Sequence, residues 1–280
     1  MCHIKKSLLK LTALLFLLSA THVYGGAYVM PVNTINQSNG NILTTMEIIA
    51  WTEEEGIPND CYGWSKCYVG PDVQYRTGGQ PGMYGSCHDA KVCLTDAHKY
   101  RTTAEVMRAY KRQFGIPKRV TFSILNVNAD CVGLFYADSL FERYGNAQQF
   151  RGSVCNKMPP LNQSCELSLP SEIAYGELTA PEVNNATRSI NGQFKCAVYS
   201  NQIMLQTKSI NNEPKVYLDT NKQMYSTLQI NGRNAADGVN VTAQGRNVPT
   251  NFTLTSMLHT ITPPKAGKYE GTAIVYLIYL

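Results

Sequence analysis

Residues 272–280, Thr-Ala-Ile-Val-Tyr-Leu-Ile-Tyr-Leu, constrain the fold most, because an apolar, β-prone run continues to Leu280. In an extended chain successive side chains alternate sides, so Val275, Leu277 and Tyr279 share one face while Ile274, Tyr276, Ile278 and Leu280 share the other. Both faces are apolar, and both need cover. A membrane span takes about 20 apolar residues, which this run does not supply. The stretch reads as a strand inside a sandwich, and any neighbour on its outer edge must come from elsewhere in the chain or from another molecule.

At the other end Lys5, Lys6 and Lys10 precede the apolar run 11–18, and the small residues Gly25, Gly26 and Ala27 follow it. That layout predicts a secretory signal peptide over 1–25. Removing those three lysines lowers the excess of Lys and Arg (25) over Asp and Glu (20) from five to two. So small a charge disfavours nucleic acid as a partner. Cys2 leaves with the segment, and Cys61, Cys67, Cys87, Cys93, Cys131, Cys155, Cys165 and Cys196 remain, an even set in an exported chain. Four disulfides are expected. Pairing neighbours in sequence (61 with 67, 87 with 93, 131 with 155, 165 with 196) is the simplest arrangement, while crossed pairs between the first two couples stay open.

Paired prolines and polar residues over 156–164 interrupt the strand-like text and divide the chain into 26–158 and 159–280. The second part reads as short strands at 165–169, 193–205, 216–218, 224–230, 239–241 and 252–258, with Asn231-Gly232 as a hairpin signal. Its size and strand spacing suit an immunoglobulin-like sandwich. In the first part 42–51 is β-like, and 52–96 is loop-rich in Gly, Tyr and Cys. Thr102-Thr-Ala-Glu105 forms a capping box ahead of Ala104, Met107, Tyr110 and Phe114 at helical spacing, before Gly115 and Pro117 stop the helix. Residues 120–127 and 132–136 read as buried strands, and the basic positions Arg108, Lys111 and Arg112 as a solvated face. The expected fold class is all-β, with two β-sandwich domains, the first β-rich with one short helix.

Cys165-Glu-Leu-Ser-Leu-Pro170-Ser-Glu-Ile-Ala-Tyr175-Gly176-Glu-Leu178 resembles the opening of a chaperone–usher pilin domain, with Cys196 standing where the second pilin cysteine would be. The close is similar too: Gly267, alternating apolar positions and the penultimate Tyr279. This resemblance to the bacterial fimbrial family implies an incomplete immunoglobulin-like pilin fold whose missing strand is supplied by another chain, a known mode of recognition. It implies a periplasmic pilus chaperone, an outer-membrane usher and an adjacent pilus subunit as partners. The assembly strand maps onto Val275, Leu277, Tyr279 and Leu280, with Gly267 marking where it begins. A long cysteine-containing domain ahead of the pilin part resembles the receptor-binding domain of a two-domain tip adhesin, exported through the periplasm to the fimbrial tip. The alternative is a pilus adaptor without a receptor.

For a host glycan or other surface receptor, sugar recognition calls for aromatic faces and planar polar groups on loops. Trp51, Trp64, Tyr68 and Tyr84 supply rings, and Asp72, Gln74 and Asp89 supply polar partners in the same stretch; Tyr62 and Tyr75 add further rings. The three-histidine zinc site of some tip adhesins is incomplete, since the first domain has only His88 and His98; with Asp89 or Asp96 they are weak candidates for a mixed zinc site. No metal or cofactor is expected. No nucleophile, base and orienting group stand together in the sequence, so an enzyme is not expected.

Overall fold

A computed structural model describes residues 26–53, 55–76, 79–125, 129–197 and 202–280. The expected signal peptide, 1–25, lies outside the described residues.

The first domain runs β1 (Ala27–Asn36), β2 (Ile42–Trp51), β3 (Tyr68–Tyr75), α1 (Thr103–Phe114), β4 (Lys118–Ile124), β5 (Ala129–Ala137), β6 (Gln148–Gln149) and β7 (Asn156–Lys157). One antiparallel sheet has the order β1-β2-β4, and in the other β5 pairs with β3 and with the short β6 and β7. Ile42, Thr44, Met46 and Ile48 of β2 are buried in strict alternation, as a half-covered strand requires. Of these, Ile42, Met46 and Ile48 share a core with Val69 and Val73 of β3 and Val132 and Leu134 of β5. Helix α1 adds Val106, Met107, Ala109 and Tyr110 to the same core.

The helix starts and stops where the sequence predicts. Thr102 Oγ1 accepts the Glu105 amide at 3.2 Å while Glu105 Oε2 accepts the Thr102 amide at 3.3 Å. Gly115 ends it at φ 79, a left-handed value that favours glycine. Arg108 on its outer face pairs with Glu53 and Glu55 rather than standing alone in solvent. Strand β3 lies inside 52–96, where the composition predicts loops. Gly70 and Pro71 break the β pattern there. Its place at the end of its sheet, with β5 as its long partner, tolerates a proline that has no amide to donate.

The second domain runs β8 (Cys165–Ser168), α2 (Ala180–Val183), β9 (Thr187–Cys196), β10 (Gln202–Ser209), β11 (Val216–Tyr217), β12 (Met224–Ile230), β13 (Arg233–Asn234), β14 (Val239–Thr242), β15 (Thr250–Thr260) and β16 (Ala273–Tyr279). Two sheets, β14-β10-β16 and β11-β12-β15-β9-β8 with β13 beside β12, enclose Phe194, Ile203, Leu205, Ile230, Phe252 and Leu254. The single run expected over 193–205 is divided between β9 and β10. Asn231 and Gly232 take φ 49 and 75 in the turn between β12 and β13, as a tight hairpin demands.

Gly267 does not mark the start of the last strand, which begins at Ala273. Residues 261–272 run as loop instead, held off by Pro263 and Pro264 and by a close passage at Gly271. A Cβ on Gly271 would stand 2.8 Å from Val216 Cγ1 and 2.9 Å from the Tyr217 carbonyl oxygen. All four disulfides join the sequence neighbours, Cys61–Cys67, Cys87–Cys93, Cys131–Cys155 and Cys165–Cys196. Cys165 and Cys196 lie directly opposite each other on β8 and β9. Among the described residues no helix is long and apolar enough to cross a membrane.

Candidate functional site

Strand β16 pairs with β10 from Ala273 opposite Ser209 to Tyr279 opposite Ile203, and among the described residues no strand borders its other edge. Val275 and Leu277 point at the second-domain core yet are only half-buried, whereas Tyr279 is fully enclosed. Tyr279 accepts the Cys165 amide on its hydroxyl at 2.7 Å, and burial pushes that phenol up to about 12. Leu280 is 56% exposed. The opposite face is covered from another source. Ile274, Tyr276 and Ile278 pack against Tyr28, Met30, Ile49, Ala50 and Val154 of the first domain, and the Tyr28 hydroxyl donates to the Ile210 carbonyl. One face of β16 is thus closed by the other domain while the inner face is closed only in part. Apart from the Tyr279 carbonyl, which accepts from Lys157 Nζ at 3.4 Å, the outer backbone groups have no strand partner among the described residues, and such a row above half-open apolar side chains is a template for an added strand.

In the first domain the sequence candidates separate. Trp51 belongs to the core, 5.5 Å from the Tyr110 ring and 5.3 Å from Phe150. Asp72 is also inside, accepting the Val73 amide at 2.7 Å and facing the Ser86 hydroxyl at 3.4 Å; burial pushes its carboxyl up to about 7 against the pull of those bonds. Gln74 spends its amide on the Gly79 carbonyl at 3.1 Å. Tyr68 opens β3 half-buried. Tyr84 and Asp89 do come together, around a single π-helical turn, Gly85–Asp89: Tyr84 stacks on His88 with centroids 4.3 Å apart, and His88 Nδ1 meets Asp89 at 3.0 Å. His98 lies on a separate turn, Ala97–Lys99. Among the described residues no three His, Cys, Asp or Glu side chains gather into a group that could hold a metal ion.

Trp64 sits on the loop closed by Cys61–Cys67. Buried Asn59 anchors that loop, donating to the carbonyls of Ala97 and Tyr100 at 2.8 Å each. The Gly63 amide reaches the His98 carbonyl at 2.9 Å, and the Asn59 amide reaches that of Arg101 at 3.0 Å. On this frame Trp64 is 39% exposed and Tyr62 48%. Beneath Trp64 lies buried Tyr136, ring centroids 5.8 Å apart, its hydroxyl bonded to Gln148 at 2.9 Å. Burial first, and the nearby Asp60 charge second, raise the Tyr136 phenol. Arg151 clasps Asp60 through two nitrogens. Arg101 donates to the Tyr62 hydroxyl at 3.2 Å. Arg101, Tyr136, Gln148 and Arg151 carried no signal of their own in the sequence, since they meet this loop from 39 to 91 residues away.

Two family models match the chain: the fimbrial adhesin MrpH N-terminal domain over residues 27–162, and the fimbrial adhesin MrpH C-terminal domain over 165–280. No curated protein matches. Among solved structures, the chain is similar to the chaperone and tip adhesion subunit pre-assembly complex, CsuC-CsuE, of archaic chaperone-usher Csu pili from Acinetobacter baumannii. That likeness has 10% identity, 88% of this chain, 95% of the other and a TM-score of 0.29. A second likeness is to a chaperone-tip adhesin complex of CFA/I fimbriae biogenesis, at 12% identity, 93% of this chain, 86% of the other and a TM-score of 0.29. Similarity that distant carries no argument about partners. The family models, by contrast, cover nearly all of both domains, and the chain belongs to the MrpH family of fimbrial adhesins.

Proposed function

We propose that this fimbrial adhesin works at the pilus tip, with residues 26–158 binding a surface carbohydrate and residues 159–280 joining the fibre by donor-strand complementation. The observation that carries the assembly half is the unpaired edge of β16 over half-open Val275 and Leu277. After loss of the signal peptide 1–25, a periplasmic chaperone lends a strand to that edge, an outer-membrane usher receives the subunit, and an adjacent pilus subunit replaces the lent strand. Val275, Leu277, Tyr279 and Leu280 form the docking strand. Neither domain is asked to make or break a bond. Modest affinity at one site is offset when many pili on a cell engage at once.

Deleting residues 272–280 is expected to abolish co-purification with the cognate periplasmic chaperone, and undiminished capture would refute the assembly reading. Adherence of the full chain, tested on host cells and immobilised glycans with and without a chelator, addresses the receptor half. Loss of adherence under chelation would make the adhesin metal-dependent. A chain that accepts a donor strand but adheres to nothing is an adaptor subunit.

A further inference from the structure

We infer that the Cys61–Cys67 loop and its neighbours form the receptor site, and that the site takes a carboxylated pyranose such as a sialic acid or a uronic acid residue. This rests on the adhesin reading and gives it a location and a ligand class.

The loop is built for rigidity rather than for filling the core. A disulfide closes it, and buried Asn59 ties its base to the 97–100 segment. Both of its rings face solvent, although burying them would be favourable. Trp64 cannot swing freely, because Tyr136 supports it from below and Gln148 holds the Tyr136 hydroxyl. An indole fixed in this way offers a flat apolar surface to the C–H face of a sugar at little entropic cost.

Charge selects the ligand class. Asp60, the acid on the loop's leading edge, is neutralised by Arg151 through two hydrogen bonds. Glu105 gives one carboxylate oxygen to the amides of Arg101 and Thr102, and Asp96, bridged to Cys67 at the end of the loop, pairs with Lys99 at 3.3 Å. The Arg101 guanidinium itself has no carboxylate partner among the described ion pairs; it leans toward Tyr62, its carbon 5.9 Å from the ring centroid. Lys66, exposed on the same loop, likewise has none. Two unpaired cations beside two exposed rings suit a ligand that carries both a ring face and an anion, and a planar guanidinium matches a carboxylate through paired hydrogen bonds.

The test uses the full chain with a donor-strand peptide bound, on immobilised sialyllactose, an oligoglucuronate and lactose, alongside host-cell adherence. At least one acidic probe is expected to bind and neutral lactose to bind far less; which acidic probe binds distinguishes the two sugar types. Trp64→Ala and Arg101→Gln should each weaken binding by about tenfold or more, while Trp64→Phe, which keeps a ring, retains most of it. Near-UV circular dichroism and an unchanged melting temperature exclude misfolding, and the Phe variant supplies a second folded control. Equal binding to acidic and neutral probes, or folded Ala and Gln variants that still adhere like the parent chain, would overturn the site while leaving the adhesin reading intact. A parent chain that adheres to neither cells nor any glycan would bring down both.

Discussion

Asp72 is a carboxyl group sealed beneath β3, beside Ser86 and the Cys87–Cys93 bridge. Burial raises its pKa to about 7, so the folded protein holds this proton far more tightly than the unfolded chain does. The stabilisation is therefore complete below about pH 4 and is lost as pH rises toward 7, by an amount on the order of a few kcal/mol. Urea midpoints at pH 5 and pH 8 should differ accordingly, and Asp72→Asn should flatten the difference; a variant with the parent's slope would show that Asp72 is not its source. In the sequence Asp72 and Trp51 were legible as residues able to hold a sugar, but not as buried ones. Residue type does not say which side of a strand a side chain takes. The phase of β3 was hidden by Gly70 and Pro71, and Trp51 closes β2 where the alternation falters. Trp64 stays outside because a disulfide loop with a sequence separation of only 6 has no second layer to put over it.

At the scale of elements, the parts with strong local grammar could be read directly. Helix α1 is bounded by its capping box and Gly115, and the β12–β13 turn by Asn-Gly. Strands whose ends depend on partners are harder, so β9 and β10 run together in the sequence, and the glycine at 267 suggests a start for β16 six residues ahead of Ala273. The Cys165–Cys196 bridge pins β8, a four-residue edge strand, to β9. Replacing both cysteines by serine should cost about 2–4 kcal/mol of stability, read as a lower denaturant midpoint for the second domain with the first unaffected. A change of similar size in the first domain's transition would mean that the two domains do not melt separately.

At the scale of the whole molecule, the contact between domains was the part the sequence could not disclose. Alternation told that Ile274, Tyr276 and Ile278 need cover, but not that β1 and β2 of the other domain provide it. Such docking depends on the paths of segments distant in sequence. Tyr28 is the centre of that contact, fully buried and 6.3 Å from the Tyr276 ring. Tyr28→Ala should bare the outer face of β16 and speed amide exchange across residues 273–279, with faster proteolysis between 158 and 164. Exchange as slow as in the parent chain would show that the first domain does not hold the strand in place.

The four bridges follow one another along the chain without interleaving, at separations of 6, 6, 24 and 31 residues, and none crosses from one domain to the other. A polypeptide emerging amino end first therefore presents each thiol's mate before any thiol of the next couple appears. Oxidation in order of arrival gives the native pattern, so export needs an oxidant for this chain but no reshuffling of mispaired sulfurs.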